Sequence, residues 1–251
     1  MIPVRELLAE FLGSAALIMA AVAPMVLFPD VLGAPMGVSL IANAIAVAFV
    51  LFALIEIFGP VSGAYFNPVV TMVMLFQKTI SAGKAAAYVL CQLVGGFAGI
   101  FFTHLMFFET VGEIFAVSQN VRSGGVFFGE IFGTFILVFA VLMCAKRTPI
   151  TEVTSSGVPI LPKPDTSTAP TSLIVGLLVG GQILATSSTM FANPMVTAVR
   201  IFTPTAAGIR PTDAAVFIAV QIIGAMIAWA VYKLIFQKSA PGAQRKPRTH
   251  M

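Results

Sequence analysis

Charge is what this chain has least of. Only 10% of its 251 residues are Asp, Glu, Lys or Arg, against 58% hydrophobic residues and a mean hydropathy of +0.99. A soluble domain runs nearer a quarter charged. The composition therefore excludes a water-surrounded globule and leaves an integral membrane protein. Cysteine is nearly absent too. Cys91 and Cys144 sit in apolar runs and read as small core residues, not as a disulfide framework or a metal site. The two histidines, His104 and His250, lie at a span end and in the tail. There is no Cys/His cluster and no nucleotide-binding loop, so composition gives no support to an enzyme, a cofactor, a metal or a nucleic-acid partner. The opening stretch "MIPVRELLAEFLGSAALIMAAVAPMVLF" runs too long for a cleaved signal peptide and is read as a first span.

What the chain does have is long apolar runs and a repeat. Six segments, roughly 6–28, 36–58, 83–108, 126–145, 170–188 and 212–236, are each long enough to cross a bilayer as a helix. Two more, 67–77 and 193–203, are apolar but too short to cross, and read as re-entrant half-helices. Backbone that stops at mid-membrane must be buried in protein or line a water-filled cavity. The two short segments are copies of each other. "SGAYFNPVVTMVMLF" returns as "SSTMFANPMVTAVRIF", aligning Asn67 with Asn193, Pro68 with Pro194, Thr71 with Thr197 and Phe76 with Phe202. Glu10 in "EFLGS" matches Glu130 in "EIFGT", and Gln92 in "QLVGG" matches Gln221 in "QIIGA".

The expected fold is thus an all-α membrane protein of six transmembrane helices plus two re-entrant half-helices. Residues 1–237 form one domain of two repeats, 1–115 and 125–237, followed by a basic cytoplasmic tail, 238–251. Three spans separate Asn67 from Asn193. An odd number inverts the second copy, so the half-helices enter from opposite faces and their N-termini point at each other. Positive charge sets the orientation. With both termini in the cytoplasm, Arg5, Lys78, Lys84, Lys146, Arg147, Lys163, Lys233, Lys238, Arg245, Lys246 and Arg248 fall on the inner side, and only Arg122, Arg200 and Arg210 on the outer. The stretch 146–169, rich in Pro, Ser and Thr, reads as an extended inner loop. The localisation expected is the cell's inner (plasma) membrane.

Asn is among the best helix N-caps and Pro is favoured at the first helical position. One Asn-Pro pair signals a helix start and nothing more. Two pairs, at matching places in an inverted repeat, signal a shared site. Each Asn oxygen accepts from its own first turn, which leaves the amide NH₂ to the lumen. Each half-helix also aims about half an elementary charge of positive dipole at the same point. Such a junction suits neutral polar solutes and opposes cations.

These residues resemble the major intrinsic protein family, the aquaporins and aquaglyceroporins. "SGAYFNPVVT" is similar to that family's first signature, SGxHxNPAVT, and "FANPMVTAVR" to a degenerate form of the second. The resemblance runs from Glu10 to about Phe236. It implies a pore through each protomer of a homotetramer lying in the lipid bilayer. It also implies that Glu10 and Glu130 support the loops carrying the half-helices.

Several positions depart from the family pattern. The Asn-Pro-Ala triplets become Asn67-Pro68-Val69 and Asn193-Pro194-Met195. Where most members place a filter arginine, this chain has Val196. Counting from the asparagines puts the other filter positions at Val47, Gly181 and Met190. That quartet is wide and nearly apolar, similar to the filters of bacterial metalloid-permeable aquaglyceroporins. It suits water together with glycerol, urea and the neutral hydroxides of arsenic or antimony. Arg200 lies one turn beyond Val196, on the same face. It either reaches the outer vestibule and restores some positive charge, or snorkels to the interface or pairs with a loop carbonyl. The second is the stronger reading. Two alternatives to a passive channel stay open: a secondary transporter, because inverted repeats with broken helices also build those, and an ion-conducting channel.

Overall fold

The computed structural model describes residues 2–145 and 169–236. The expected inner loop lies outside them except for its last residue, and the expected basic tail lies outside them entirely.

The first helix, α1 (Val4–Val22), continues through Pro24–Val26 and a π turn at Leu27–Val31, giving a first span of 28 residues. Then follow α2 (Met36–Ser62), the half-helix α3 (Pro68–Phe76), α4 (Ala82–Met106), α5 (Gly125–Ala145), α6 (Thr171–Ala185), the half-helix α7 (Pro194–Val199) with a 3₁₀ turn at Arg200–Phe202, and α8 (Pro211–Phe236). Five of these, α1, α2, α4, α5 and α8, are long and apolar enough to cross a membrane. The sixth, α6, is apolar but has 15 residues. At 1.5 Å per residue it reaches about 22 Å, less than the ~30 Å of hydrocarbon. The expected span, 170–188, is therefore right in place but too long. Thr186 turns extended, at φ −107 and ψ 145, and ends the helix three residues early.

The packing repeats with the sequence. Helix α1 lies against α4, and α5 against α8. Across the halves, α2 packs on α6. The half-helices α3 and α7 touch each other, and each is held by both α4 and α8. Large apolar side chains such as Phe49, Leu90, Phe128 and Leu177 face outward, whereas Glu10, Thr71, Gln92, Glu130, Thr197 and Gln221 are fully buried. This reverses the distribution of a water-soluble fold and suits a lipid surround.

Two close approaches set the helix spacing. A Cβ on Gly95 of α4 would stand 2.2 Å from the carbonyl oxygen of Phe11 in α1. Its repeat mate, Gly224 of α8, would stand 2.4 Å from the carbonyl oxygen of Ile131 in α5. The obstacle is backbone in both cases, so it does not swing aside. Small residues that let backbones approach are the usual glue of membrane helices. Gly95→Val and Gly224→Val are each expected to destabilise the fold by about 1–3 kcal/mol through overpacking. Thermal unfolding in detergent checks this. Gly59→Ala is the control, because a Cβ there has no neighbour within 4 Å.

Candidate functional site

Both half-helices begin at an asparagine in extended conformation. Asn67 Oδ1 accepts from the Val69 N–H at 3.0 Å, and Asn193 Oδ1 accepts from Met195 and Val196 at 3.0 and 3.3 Å. The amides then cross between the repeats. Asn67 Nδ2 donates to the carbonyl of Ala192 at 2.8 Å, and Asn193 Nδ2 donates to the carbonyl of Phe66 at 2.8 Å. Sequence reasoning leaves both hydrogens of each amide to the lumen. The structure takes one of them to bolt the two loops together. The second hydrogen has no protein acceptor among the described residues, and both asparagines line the same cavity.

The loops leading into the caps have matching unusual backbones. Ala64 and Phe66 have φ of +52° and +49°, and Met190 and Ala192 have +42° and +46°. These are the residues three and one before each asparagine. Left-handed residues of this kind let successive N–H groups converge on one anion, and here the anions are buried carboxylates. Glu10 Oε1 accepts from Ser62 Oγ at 2.6 Å and the Tyr65 N–H at 3.0 Å, while Oε2 accepts from the Phe66 N–H and Gln92 Nε2, both at 2.8 Å. Four donors fill the acceptor sites of one carboxylate. Glu130 does the same for the second loop, accepting from the Phe191 N–H at 3.2 Å, the Ala192 N–H, and Gln221 Nε2 at 2.6 Å. Each glutamine passes the network on. Gln92 also donates to Thr71 Oγ1, which donates to the Asn67 carbonyl; Gln221 donates to Thr197 Oγ1, which donates to the Asn193 carbonyl. Each carboxylate thus reaches both the loop and the first turn of its half-helix.

A cavity of about 410 Å³ runs past this junction, from Ala145 and Thr171 at one end to Thr189 and Arg200 at the other. Its walls are mainly apolar. Helix α2 contributes Asn43, Val47, Leu51 and Ile55; helix α6 contributes Thr171, Val175, Val179 and Ile183. Val47, Met190 and Val196 all line it. Gly181 does not. It is exposed on another face of α6 and a Cβ there would meet nothing within 4 Å. Counting back from Asn193 misses the lining residue by two, because the lining stripe of α6 recurs every four residues and ends on Ile183. The wall position expected for Gly181 thus falls to a branched aliphatic side chain.

The third triplet residues stay behind the junction. Val69 and Met195 are buried and absent from the cavity wall. Met195 Sδ occupies space left open by Gly96, and Val69 packs in a cluster with Ala225. Gly96 and Ala225 are repeat mates, so the larger side chain faces the smaller partner.

Arg200 is the one charged residue on the cavity wall among the described residues. It is 7% exposed, so it does not snorkel to the surface. Its Nε–H donates to the carbonyl of Ala207, and its guanidinium lies 3.7 Å from the centroid of the Phe191 ring. Arg122 lies over the same ring at 4.7 Å, with its own N–H groups directed to the carbonyls of Gly208 and Ser188.

Several participants escaped sequence reasoning. Ile183 was accessible through the four-residue stripe. The glutamines were visible as repeat markers, but not as the bridges between carboxylate and half-helix. Phe191 carried no signal, because its role depends on two arginines brought in by distant loops.

A membrane-embedded helical bundle with two half-helices meeting tip to tip beside a cavity is the construction of a transmembrane channel for water and small solutes. The chain belongs to the major intrinsic protein family, whose model, Major intrinsic protein, matches residues 2–162. It is similar to the aquaglyceroporin AqpS of Rhizobium meliloti (strain 1021), with 34% identity over 238 residues, covering 94% of this chain and 92% of the relative. It is also similar to the probable aquaporin PIP2-8 of Arabidopsis thaliana, with 27% identity over 161 residues, covering 62% of this chain and 57% of that one. The fold is that of the X-ray structure of the aquaglyceroporin from Plasmodium falciparum, with a TM-score of 0.60 and 19% identity, covering 93% of this chain and 95% of that one.

Glu10→Gln and Glu130→Gln each remove an acceptor oxygen and set an NH₂ group against converging donors. A hydrogen bond to a charged group contributes roughly 1.5–3 kcal/mol, so both variants are expected to lose several degrees of thermal stability in detergent. Glu109→Gln, at an exposed position, is expected to melt like the wild type.

Proposed function

We propose that this protein is a passive pore, one per protomer, for water and for larger neutral solutes: glycerol, urea, and the neutral hydroxides of arsenic or antimony. The observation that carries this reading is Val196 on the cavity wall beside Asn193, in company with Val47, Ile183 and Met190. An aliphatic constriction offers water few hydrogen bonds. A solute that is bulkier and partly apolar loses less on entering it, and the two asparagine amides and their positive helix ends then supply donors at the centre. The likeness to a named aquaglyceroporin over nearly the whole chain supports the same solute class.

The filter consists of Val47, Ile183, Met190 and Val196, with Asn67 and Asn193 as the central donors and Glu10 and Glu130 as the supports of the two loops. The excess of positive charge on one side supports a topology with both termini in the cytoplasm and Arg200 toward the outer mouth. The assembly is a homotetramer, as the family resemblance implies, and its membrane is the cell's inner (plasma) membrane. A coupled transporter usually needs a titratable or ion-binding group at its site, and no carboxylate or imidazole lines the cavity among the described residues. That supports the passive reading.

Stopped-flow measurement on reconstituted vesicles tests it. Water, glycerol, urea and arsenite are all expected to pass, with no coupling to a proton or sodium gradient. Val196→Arg is expected to reduce glycerol and arsenite flux by roughly tenfold, the equivalent of about 1.4 kcal/mol, and water flux by less. Equal or faster passage of the larger solutes through that variant overturns the filter assignment.

A further inference from the structure

Burying a guanidinium without a carboxylate is expensive, and inside a membrane such a residue marks function by default. Arg200 is in this position. The two ion pairs among the described residues are Lys84–Glu6 and Arg210–Asp213, and neither includes it. Of its five N–H groups, the Nε–H alone has a protein acceptor among the described residues, the Ala207 carbonyl. The side chain stands on the wall of an otherwise uncharged cavity, one helical turn beyond Val196.

Its position is well supported. The Arg200 carbonyl accepts from the Ile209 N–H at 3.2 Å, which ties the turn to the loop that also supplies the Ala207 carbonyl. The Phe191 ring beneath the guanidinium is anchored through its own backbone N–H, which Glu130 holds at 3.2 Å. The stacking direction follows the ring quadrupole, whose negative face attracts a cation. Phe191 packs edge-on against Phe217 at 5.3 Å, and Phe217 is fully buried, so the platform is rigid. One edge of the guanidinium is spent on the loop and its face on the ring, which leaves the terminal NH₂ groups for whatever occupies the cavity.

We propose that Arg200 is a specificity-determining residue of this pore: a guanidinium displaced by one turn along the wall, donating to the oxygens of passing neutral solutes and repelling cations where Val196 does neither. This deepens the channel reading and rests on it. The width of the pore at Val196 and the hydrogen bonding at Arg200 are then supplied by different residues at different depths. A polyol or metalloid hydroxide meets an oily ring and a donor pair in sequence, so size tolerance does not cost the charge barrier.

The test compares the wild type with Arg200→Met, Arg200→Lys and the double variant Val196→Arg/Arg200→Met in vesicles. Water and glycerol fluxes are followed by light scattering and rubidium leak by tracer. Arg200→Met is expected to lower the glycerol-to-water flux ratio and raise rubidium leak by roughly tenfold or more, since one uncompensated charge at close range in a low-dielectric wall carries that much. The double variant is expected to restore tightness to rubidium, which a merely structural role of Arg200 does not predict. If Arg200→Met yields no folded protein, Arg200→Lys decides: a reduced glycerol-to-water ratio with rubidium tightness kept supports the proposal. Unchanged flux ratio and leak in the folded variants overturns it, and so does failure of both single variants to fold, which would make Arg200 a strut. A wild type that passes no neutral solute sinks the channel reading itself, and that result is distinct from all of these.

Discussion

A chain that stops and turns back halfway through a bilayer must find partners there for every backbone N–H and C=O it exposes, because no water supplies them. Two buried glutamates meet the N–H half of that demand here, and the two asparagine amides each pair a loop carbonyl. Each glutamate gathers consecutive loop N–H groups onto one carboxylate and, through a glutamine and a threonine, reaches the first turn of the half-helix beyond. The left-handed residues before each asparagine are tolerable because this anion rewards the conformation. Without the carboxylates the loops would relax, the asparagines would leave the cavity wall, and the half-helices would lose their common meeting point.

The two repeats keep this machinery and vary what surrounds it. Glutamate, glutamine, threonine and asparagine occur in both copies with the same chain of bonds from carboxylate to half-helix, although Glu10 gathers a fourth donor, Ser62, and Asn193 caps a second N–H. The packing residues drift in a compensated way: Met195 sits against Gly96, where the other half sets Val69 near Ala225. Combined volume at each contact is the quantity that close packing constrains, so the triplets are free to depart from Asn-Pro-Ala while the tips still abut. The departures that alter the cavity wall, Val196 above all, are of a different kind, because there the neighbour is solute.

Much of this was readable from the residues in order. The Asn-Pro pairs marked α3 and α7 to within a residue at their starts, since cap preference is local chemistry. The paired glutamates stood out because a carboxylate in an apolar run needs a reason. What failed was information carried by long-range backbone. The cross-bonds from Asn67 and Asn193 end on carbonyls, which every residue has and no sequence distinguishes. Gly181 was chosen by counting along a segment that ceases to be helical at Thr186, and the register of the wall follows the helix, not the count. Helical spacing puts Arg200 on the face of Val196, and both line the cavity. Its burial came from the fold of 203–210, whose carbonyls no periodicity announces.

The reciprocal bolts between the loops also bear on how the molecule is made. Asn67 finds its acceptor on Ala192, 125 positions further along the chain. At about 5–20 residues per second of synthesis, the amide emerges from the ribosome many seconds before that carbonyl exists. The tip of the first half therefore has to wait unfastened, and the cross-bonds close only after the second half has been made past Asn193.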